Sequence, residues 1–228
     1  LGKLAQLLAH THQFTVWPQW DVFITFEGPE GAGKSTVLAM VAERLRARGH
    51  AVLSTREPGA GEVGKAIRDI LLHGGDIHPH AELFLFLADR AQHVERIVRP
   101  FLSQAHSENR IVLCDRHADS TVVYQGHARG MDIEELRRLN WLATAGLVPD
   151  RTYLLDLPVE VGLGRLKDPD RLDREPIEFH RRVREGFRAE ADREPERWRV
   201  LDATQSPEHL VEEILADLGP HGASLARE

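Results

Sequence analysis

From Val22 onward the chain alternates short apolar or β-branched runs with longer segments in which apolar residues recur at helical spacing. The runs "VFITF" (22–26), "AVLST" (51–55), "RIVLCD" (110–115), "RTYLLDL" (151–157) and "RWRVLDA" (197–203) read as five strands. Strands separated by helical segments pair in parallel, since each crossover returns the chain to the same end of the sheet. The helical pattern predicts helices over 34–48, 63–72, 81–104, 133–145, 176–193 and 207–218. Gly49 stands where a helix stop belongs, and Ser206 followed by Pro207 has the form of an N-cap with proline in the first turn. The expected fold is a three-layer α/β arrangement, a five-stranded parallel sheet flanked by helices.

One segment strains this pattern. Between 164 and 199 charged residues dominate, but Ile177, Phe179, Val183 and Phe187 keep an apolar stripe, so the segment reads as a helix with a solvated face and pairs such as Glu178 with Arg182. No repeat or low-complexity linker divides the chain. With 228 residues, 42% of them hydrophobic, one domain over 21–219 is expected. Residues 1–20, which begin with Leu1 and contain Trp17 and Trp20, form an N-terminal extension to which no role is assigned, and 220–228 form a tail.

Charge narrows the function classes. Lys and Arg total 29 against 36 for Asp and Glu, a net charge of −7, which gives no general attraction to nucleic acid or to acidic membranes. Any anion must be held by a local cluster. No apolar run approaches the roughly 20 residues that span a bilayer, so no membrane association is expected. The single cysteine, Cys114, excludes an internal disulfide and a cysteine-based zinc cage. A reducing, cytoplasmic location fits, and Cys114 itself is expected to pack as a small apolar residue.

The chemistry starts at "FEGPEGAGKST". Gly28, Gly33, Lys34 and Ser35 match G-x-x-x-x-G-K-[ST] between a strand and a helix, the setting this motif requires. A chance match in a chain this long has a probability of roughly 1%, and the strand-to-helix context lowers it. Glycines let successive backbone N–H groups curl around phosphate oxygens, and the following helix adds its positive end. The loop Gly28, Pro29, Glu30, Gly31, Ala32, Gly33, Lys34, Ser35 and Thr36 is therefore expected to bind ATP, in a P-loop NTPase fold. Lys34 would bridge the β- and γ-phosphates, and Ser35 would ligate Mg2+.

The acceptor is a separate question. "TREPGAG" (55–61) follows the second strand, and Asp115 and Arg116 end the third, so both lie at the carboxyl edge where such sheets bind ligands. Arg56, Arg90 and Arg116 converging on one rim suggest a second anionic group beside the donor phosphates. A surface salt bridge is the plain alternative for any one of them. Phe86 in "LFLFLA" suits a core, and Tyr124 suits a buried tyrosine with a satisfied hydroxyl. His73, His78 and His80 match no zinc spacing and read as a polar loop.

Taken together, "FEGPEGAGKST", "TREPG", "LFLFLADRAQHV", "DRHADSTVVYQG", "LVPDRTYLLDLP", "LDRE" and "PERWRVLDA" resemble the thymidylate kinase family over 22–218. The resemblance implies Mg2+-dependent transfer of the ATP γ-phosphoryl to dTMP, in dTTP synthesis, by a cytoplasmic homodimer whose dimer face lies among the helices between 81 and 145. It implies dTMP binding by Arg116 on the phosphate, with Arg56, Glu57 and Pro58 on the acceptor side. Phe86 would stack on thymine and Arg90 would bond its O4 edge. Thr121 and Gln125 would line the base site, and Tyr124 would lie under the deoxyribose and crowd a 2′-hydroxyl. Glu30 matches the loop carboxylate near the acceptor, and Asp115 would reach Mg2+ through water. Some members carry an arginine where this chain has Gly31, and the others supply arginines from a mobile lid. That lid is expected at about 165–176, with Arg165, Arg171 and Arg174 as the catalytic candidates beside Lys34, Arg116 and Glu30. Two departures bear on these roles: Ala60 and Gly61 follow "REPG" where the family has glycine and then threonine, and Pro169 sits in the lid. A kinase for another nucleotide and a P-loop switch without a small-molecule acceptor remain the competing readings.

Overall fold

A computed structural model describes residues 21–103 and 110–219. The predicted extension 1–20 and tail 220–228 lie outside them. Five parallel strands, β1 (Val22–Glu27), β2 (Ala51–Arg56), β3 (Arg110–Asp115), β4 (Arg151–Asp156) and β5 (Trp198–Asp202), form one sheet in the order β2-β3-β1-β4-β5. All five match the predicted runs to within one or two residues.

The two-residue period of the strands sorts the core into layers. Val22, Ile24, Phe26, Ile111, Leu113, Tyr153 and Leu155 face one side. There they meet Val37, Val41 and Leu45 of α1 (Lys34–Ala47) and Leu210, Val211 and Ile214 of α9 (Pro207–Asp217). Phe23, Val112 and Cys114 face the other side and pack on Val98. Gly49 ends α1 at a φ of 89°, and Ser206 caps α9, its hydroxyl accepting the His209 N–H at 3.2 Å. Both punctuation signals act as expected.

The helices depart from prediction mainly at their ends. α2 (Gly61–His73) starts earlier, with Ala60 as N-cap. α3 (Pro79–His93) starts at a proline capped by His78, widens into a π-helical stretch Val94–Val98 and closes with α4 (Arg99–Leu102), while the predicted end at 104 lies outside the described residues. α6 (Ile133–Ala143) stops two residues short, where Ala145 and Gly146 turn left-handed at φ 46° and 77°.

Two helical pieces were not predicted: α7 (Val159–Gly164), and α5 (Ala118–Thr121) running into a π-helical stretch Val122–Ala128. β-Branched Thr121, Val122 and Val123 together with Gly126 give that second sequence little helical propensity. Burial holds it instead, since Val123, Tyr124 and Ala128 pack on Phe179, Val183 and Phe187 of α8 (Ile177–Arg193). α8 keeps its predicted apolar stripe, but Glu178 pairs with Arg181 rather than Arg182, whose guanidinium donates to the Ala128 carbonyl at 3.0 Å. The turn-rich segment 165–176 links α7 to α8.

Candidate active site

The parallel register brings Phe26 and Arg56 opposite Asp115, so the ends of β1, β2 and β3 share one rim. Beyond β1 the chain needs backbone conformations that side chains resist. Gly33 caps α1 at φ 84°, and Gly31, at φ 68°, lies against α7: a Cβ there would sit 2.0 Å from the Gly162 carbonyl oxygen. A Cβ on Gly162 would in turn sit 2.3 Å from the Glu30 carbonyl oxygen. The contact is backbone on backbone from both sides.

Lys34 is buried over this loop, its Nζ donating to the Gly28 and Pro29 carbonyls at 3.0 and 2.8 Å. Burial first, and then Arg116, bring its ammonium down to about 8, against the pull of Asp115, Glu30 and Glu27. Ser35 Oγ lies 2.5 Å from Asp115 Oδ2. A hydroxyl and a carboxylate side by side at a phosphate loop are the hard oxygen donors that Mg2+ takes, so the pair fits that ion. A different grouping, Glu57, His93 and Cys114, has metal-like spacing, but its groups are committed to the protein. Both His93 nitrogens are bonded, to Glu57 and to Thr55, and burial keeps the Cys114 thiol protonated, well above its ordinary value. His73 pairs with exposed Asp69, and the His78 and His80 rings stack on each other at 5.3 Å.

Facing the loop is a cavity of about 300 Å3. Arg116 enters it from a left-handed turn at φ 67°, with its N–H on the Phe26 carbonyl at 3.0 Å. Its guanidinium bonds Glu30 at 3.1 Å and lies 5.1 Å over the Tyr124 ring. The Tyr124 hydroxyl reaches both Glu30 oxygens at 2.6 Å. Burial opposes the charge of Glu30, but Arg116, Lys34 and the Tyr124 hydroxyl outweigh it and hold the carboxyl below its ordinary range. Arg116, Glu30 and Tyr124 thus form one interlocked unit.

Arg90 forms the buried wall, at 2% exposure. Its Nε donates to Glu57 at 2.8 Å, Nη1 to Thr121 Oγ1 at 2.8 Å and Asn140 Oδ1 at 2.7 Å, and Nη2 to the His117 carbonyl at 2.8 Å. A guanidinium has five N–H donors, so one Nη2 proton is left. Glu57 also bonds His93 and His117 at 2.7 and 3.0 Å. Burial would raise its carboxyl, but His117 and Arg90 hold it well below the usual range. Asp89 fixes the adjoining turn through the Gly59 N–H at 3.1 Å. Phe86 is half-buried, both packed on the Leu71–Leu72–Leu172 cluster and open to the cavity. Gln125 lines the cavity with its amide donating to Glu82 at 3.0 Å.

Every predicted residue of the acceptor set lines this one cavity: Glu30, Arg56, Glu57, Pro58, Phe86, Arg90, Arg116, Thr121, Tyr124 and Gln125. The three lid arginines do not. Arg165 donates to the Gly31 and Ala203 carbonyls at 3.3 Å, Arg171 is tied to Glu82 and to the Leu71 carbonyl, and Arg174 is exposed. The segment instead offers the cavity Leu166, Asp170, Leu172 and Asp173. Sequence reasoning missed these along with Arg68 and Ser120. Arg68 is one more arginine in a helical run, and nothing local shows that it reaches back to the Pro58 carbonyl at 2.9 Å.

A phosphate-binding loop facing an arginine-rich acceptor cavity, with a turn-rich strap beside both, defines a P-loop kinase of the kind that phosphorylates small phosphorylated acceptors. The "Thymidylate kinase" family profile matches residues 26–214. The chain belongs to the thymidylate kinase family, and its expected P-loop fold and family resemblance both hold. Thymidylate kinase of Synechococcus sp. (strain JA-2-3B'a(2-13)) is 49% identical over 199 residues, covering 87% of this chain and 95% of that one. That of Thermomicrobium roseum is 51% identical over 198 residues, covering 85% and 92%. The crystal structure of thymidylate kinase from Ehrlichia chaffeensis matches with a TM-score of 0.71 at 31% identity, covering 87% of this chain and 98% of that one.

Proposed function

We propose that this enzyme transfers the γ-phosphoryl group of Mg·ATP to dTMP, yielding dTDP and ADP for dTTP synthesis. The carrying observation is that Lys34 and Ser35 of the phosphate loop open into the same cavity as Arg116, Arg90, Phe86 and Tyr124. Donor and acceptor groups therefore meet without a large rearrangement. Lys34 stabilises the β- and γ-phosphates, and Arg116 takes the dTMP phosphate with Arg56 beside it. Ser35 and Asp115 would hold Mg2+, which neutralises charge on the transferring group when bound. The acceptor phosphate is already ionised at neutral pH, so no general base is needed and rate comes from positioning and charge.

Specificity rests on the far end of the cavity. Phe86 supplies an aromatic face, and the remaining Nη2 proton of Arg90 suits an acceptor such as thymine O4. Thr121 accepts from Arg90, which leaves its own proton to donate. Tyr124, locked on Glu30, is a rigid ring where a 2′-hydroxyl would need room. Among the lid candidates, Arg165 is the one whose present contact is on the phosphate loop, and we assign it the transferring phosphoryl ahead of Arg171 and Arg174.

A homodimer is proposed through α2, α3 and α6, neighbouring helices that expose Val63, Ile70, Phe84, Trp141 and Leu142. Sedimentation should give about twice the chain mass, and Trp141→Glu should yield monomer. Among the described residues no helix is long and apolar enough to cross a membrane, in keeping with a proposed cytoplasmic location.

The function is tested by ADP release from Mg·ATP alone and with dTMP, dUMP, dCMP, dGMP and UMP in parallel. Strong stimulation by dTMP above the others is expected. Equal slow turnover in every reaction would overturn the acceptor assignment.

A further inference from the structure

Behind the acceptor cavity lies a carboxyl that none of the roles above uses. Glu27, the last residue of β1, is 0% exposed and does not line the cavity. Its Oε1 accepts the His117 backbone N–H at 2.8 Å, and its Oε2 accepts the Ser120 hydroxyl at 2.6 Å. Ser120, which does line the cavity, accepts in turn from Arg116 Nη1 at 3.2 Å. We propose that Glu27 and Ser120 are positioning residues, which together hold the Arg116 guanidinium in the orientation that meets the acceptor phosphate. This rests on the acceptor assignment above.

The polarity of the chain of bonds carries the inference. A guanidinium only donates, so Ser120 has to offer it a lone pair, and the serine has a single proton to dispose of. An ionised Glu27 accepts that proton and fixes the hydroxyl in the useful direction. A protonated Glu27 donates to Ser120 instead, competes with Arg116 for its lone pairs and turns the serine proton loose. Arg116 then keeps Glu30 on Nη2 and the Tyr124 ring near its Cζ, while Nη1 loses its fixed acceptor.

The surroundings set Glu27 near this switch. Burial, helped by Asp119, pushes its carboxyl up to about 7, against Arg116, the Ser120 hydroxyl and the His117 N–H. Asp119 is itself clamped by Arg197 at 2.7 and 2.8 Å. Lys34 on α1, the Tyr124 hydroxyl and the Cys114 thiol on β3 also feel Glu27, and burial holds both the tyrosine and the thiol neutral.

The test compares Ser120→Ala, Ser120→Thr and Glu27→Gln with the wild type in the full chain, measuring kcat and KM for each substrate and the melting temperature. Ser120→Ala and Glu27→Gln should each raise the dTMP KM about 10-fold, the effect of one lost orienting hydrogen bond, with the ATP KM within about twofold. Ser120→Thr, which keeps the hydroxyl, should restore most of the dTMP affinity. The acceptor phosphate also titrates, near about 6, so the wild-type pH profile is read against Glu27→Gln, which should lose only the limb near 7. An unchanged dTMP KM in Ser120→Ala, or a KM for ATP that rises in step with a falling melting temperature, would overturn the inference. A wild type that dTMP does not stimulate would instead overturn the acceptor assignment.

Discussion

Lys34→Ala is expected to lower kcat by about 10^3-fold, the scale set by removing one preorganised charge from a transition state whose catalysis is almost entirely electrostatic. The melting temperature should not fall. Lys34 is a buried ammonium whose protonated form is disfavoured by its surroundings, with only two carbonyl acceptors in the free loop. Deleting it removes a desolvated charge, so stability at neutral pH should stay level or rise. A single-turnover assay beside thermal unfolding separates the two effects. Retention of more than about a tenth of the wild-type rate would remove Lys34 from the chemistry.

Arg90→Ala should destabilise the fold by about 3–5 kcal/mol, because it breaks a buried ion pair and leaves the other partner behind. For a domain of this size that is a fall in Tm of roughly 6–20 °C. Glu57 would keep His93 and His117 but lose the one partner that is always charged, and Thr121 and Asn140 would lose a shared donor. The pH dependence has a definite sign. The folded protein holds the Glu57 carboxyl below its unfolded value of about 4.5, so the stability from its ionisation is present above that pH and is lost as pH falls below it. The penalty of Arg90→Ala should therefore be largest near neutrality and shrink in acid, as urea denaturation at several pH values would reveal. The variant should also raise the dTMP KM. An unchanged KM would mean that Arg90 builds the wall without reading the base.

The sequence was most informative where one local signal sufficed. Short apolar runs marked all five strands, Gly49 and Ser206 marked real helix ends, and the glycine-lysine spacing marked the phosphate loop. What escaped depends on tertiary contacts. The stretch carrying Thr121, Tyr124 and Gln125 is held helical by α8, against its own propensity. Arg68 and Ser120 matter only because tertiary partners come to meet them, the Pro58 carbonyl for Arg68 and the Glu27 carboxylate for Ser120. The fate of Arg171 was equally hidden, since its partners on α2 and α3 lie about a hundred residues away in the chain.

The mutual approach of Gly31 and Gly162 bears on how this chain can be redesigned. Moving the arginine proposed for the transferring phosphoryl from 165 into the phosphate loop at position 31 is closed to a single substitution. Its Cβ would enter the Gly162 carbonyl, and the left-handed backbone would resist any side chain. Trimming position 162 brings no relief, because that residue is already glycine and the obstruction is its main chain. A side chain at position 31 therefore requires a displacement of α7, so such a redesign has to rebuild a helix before it can exchange a residue.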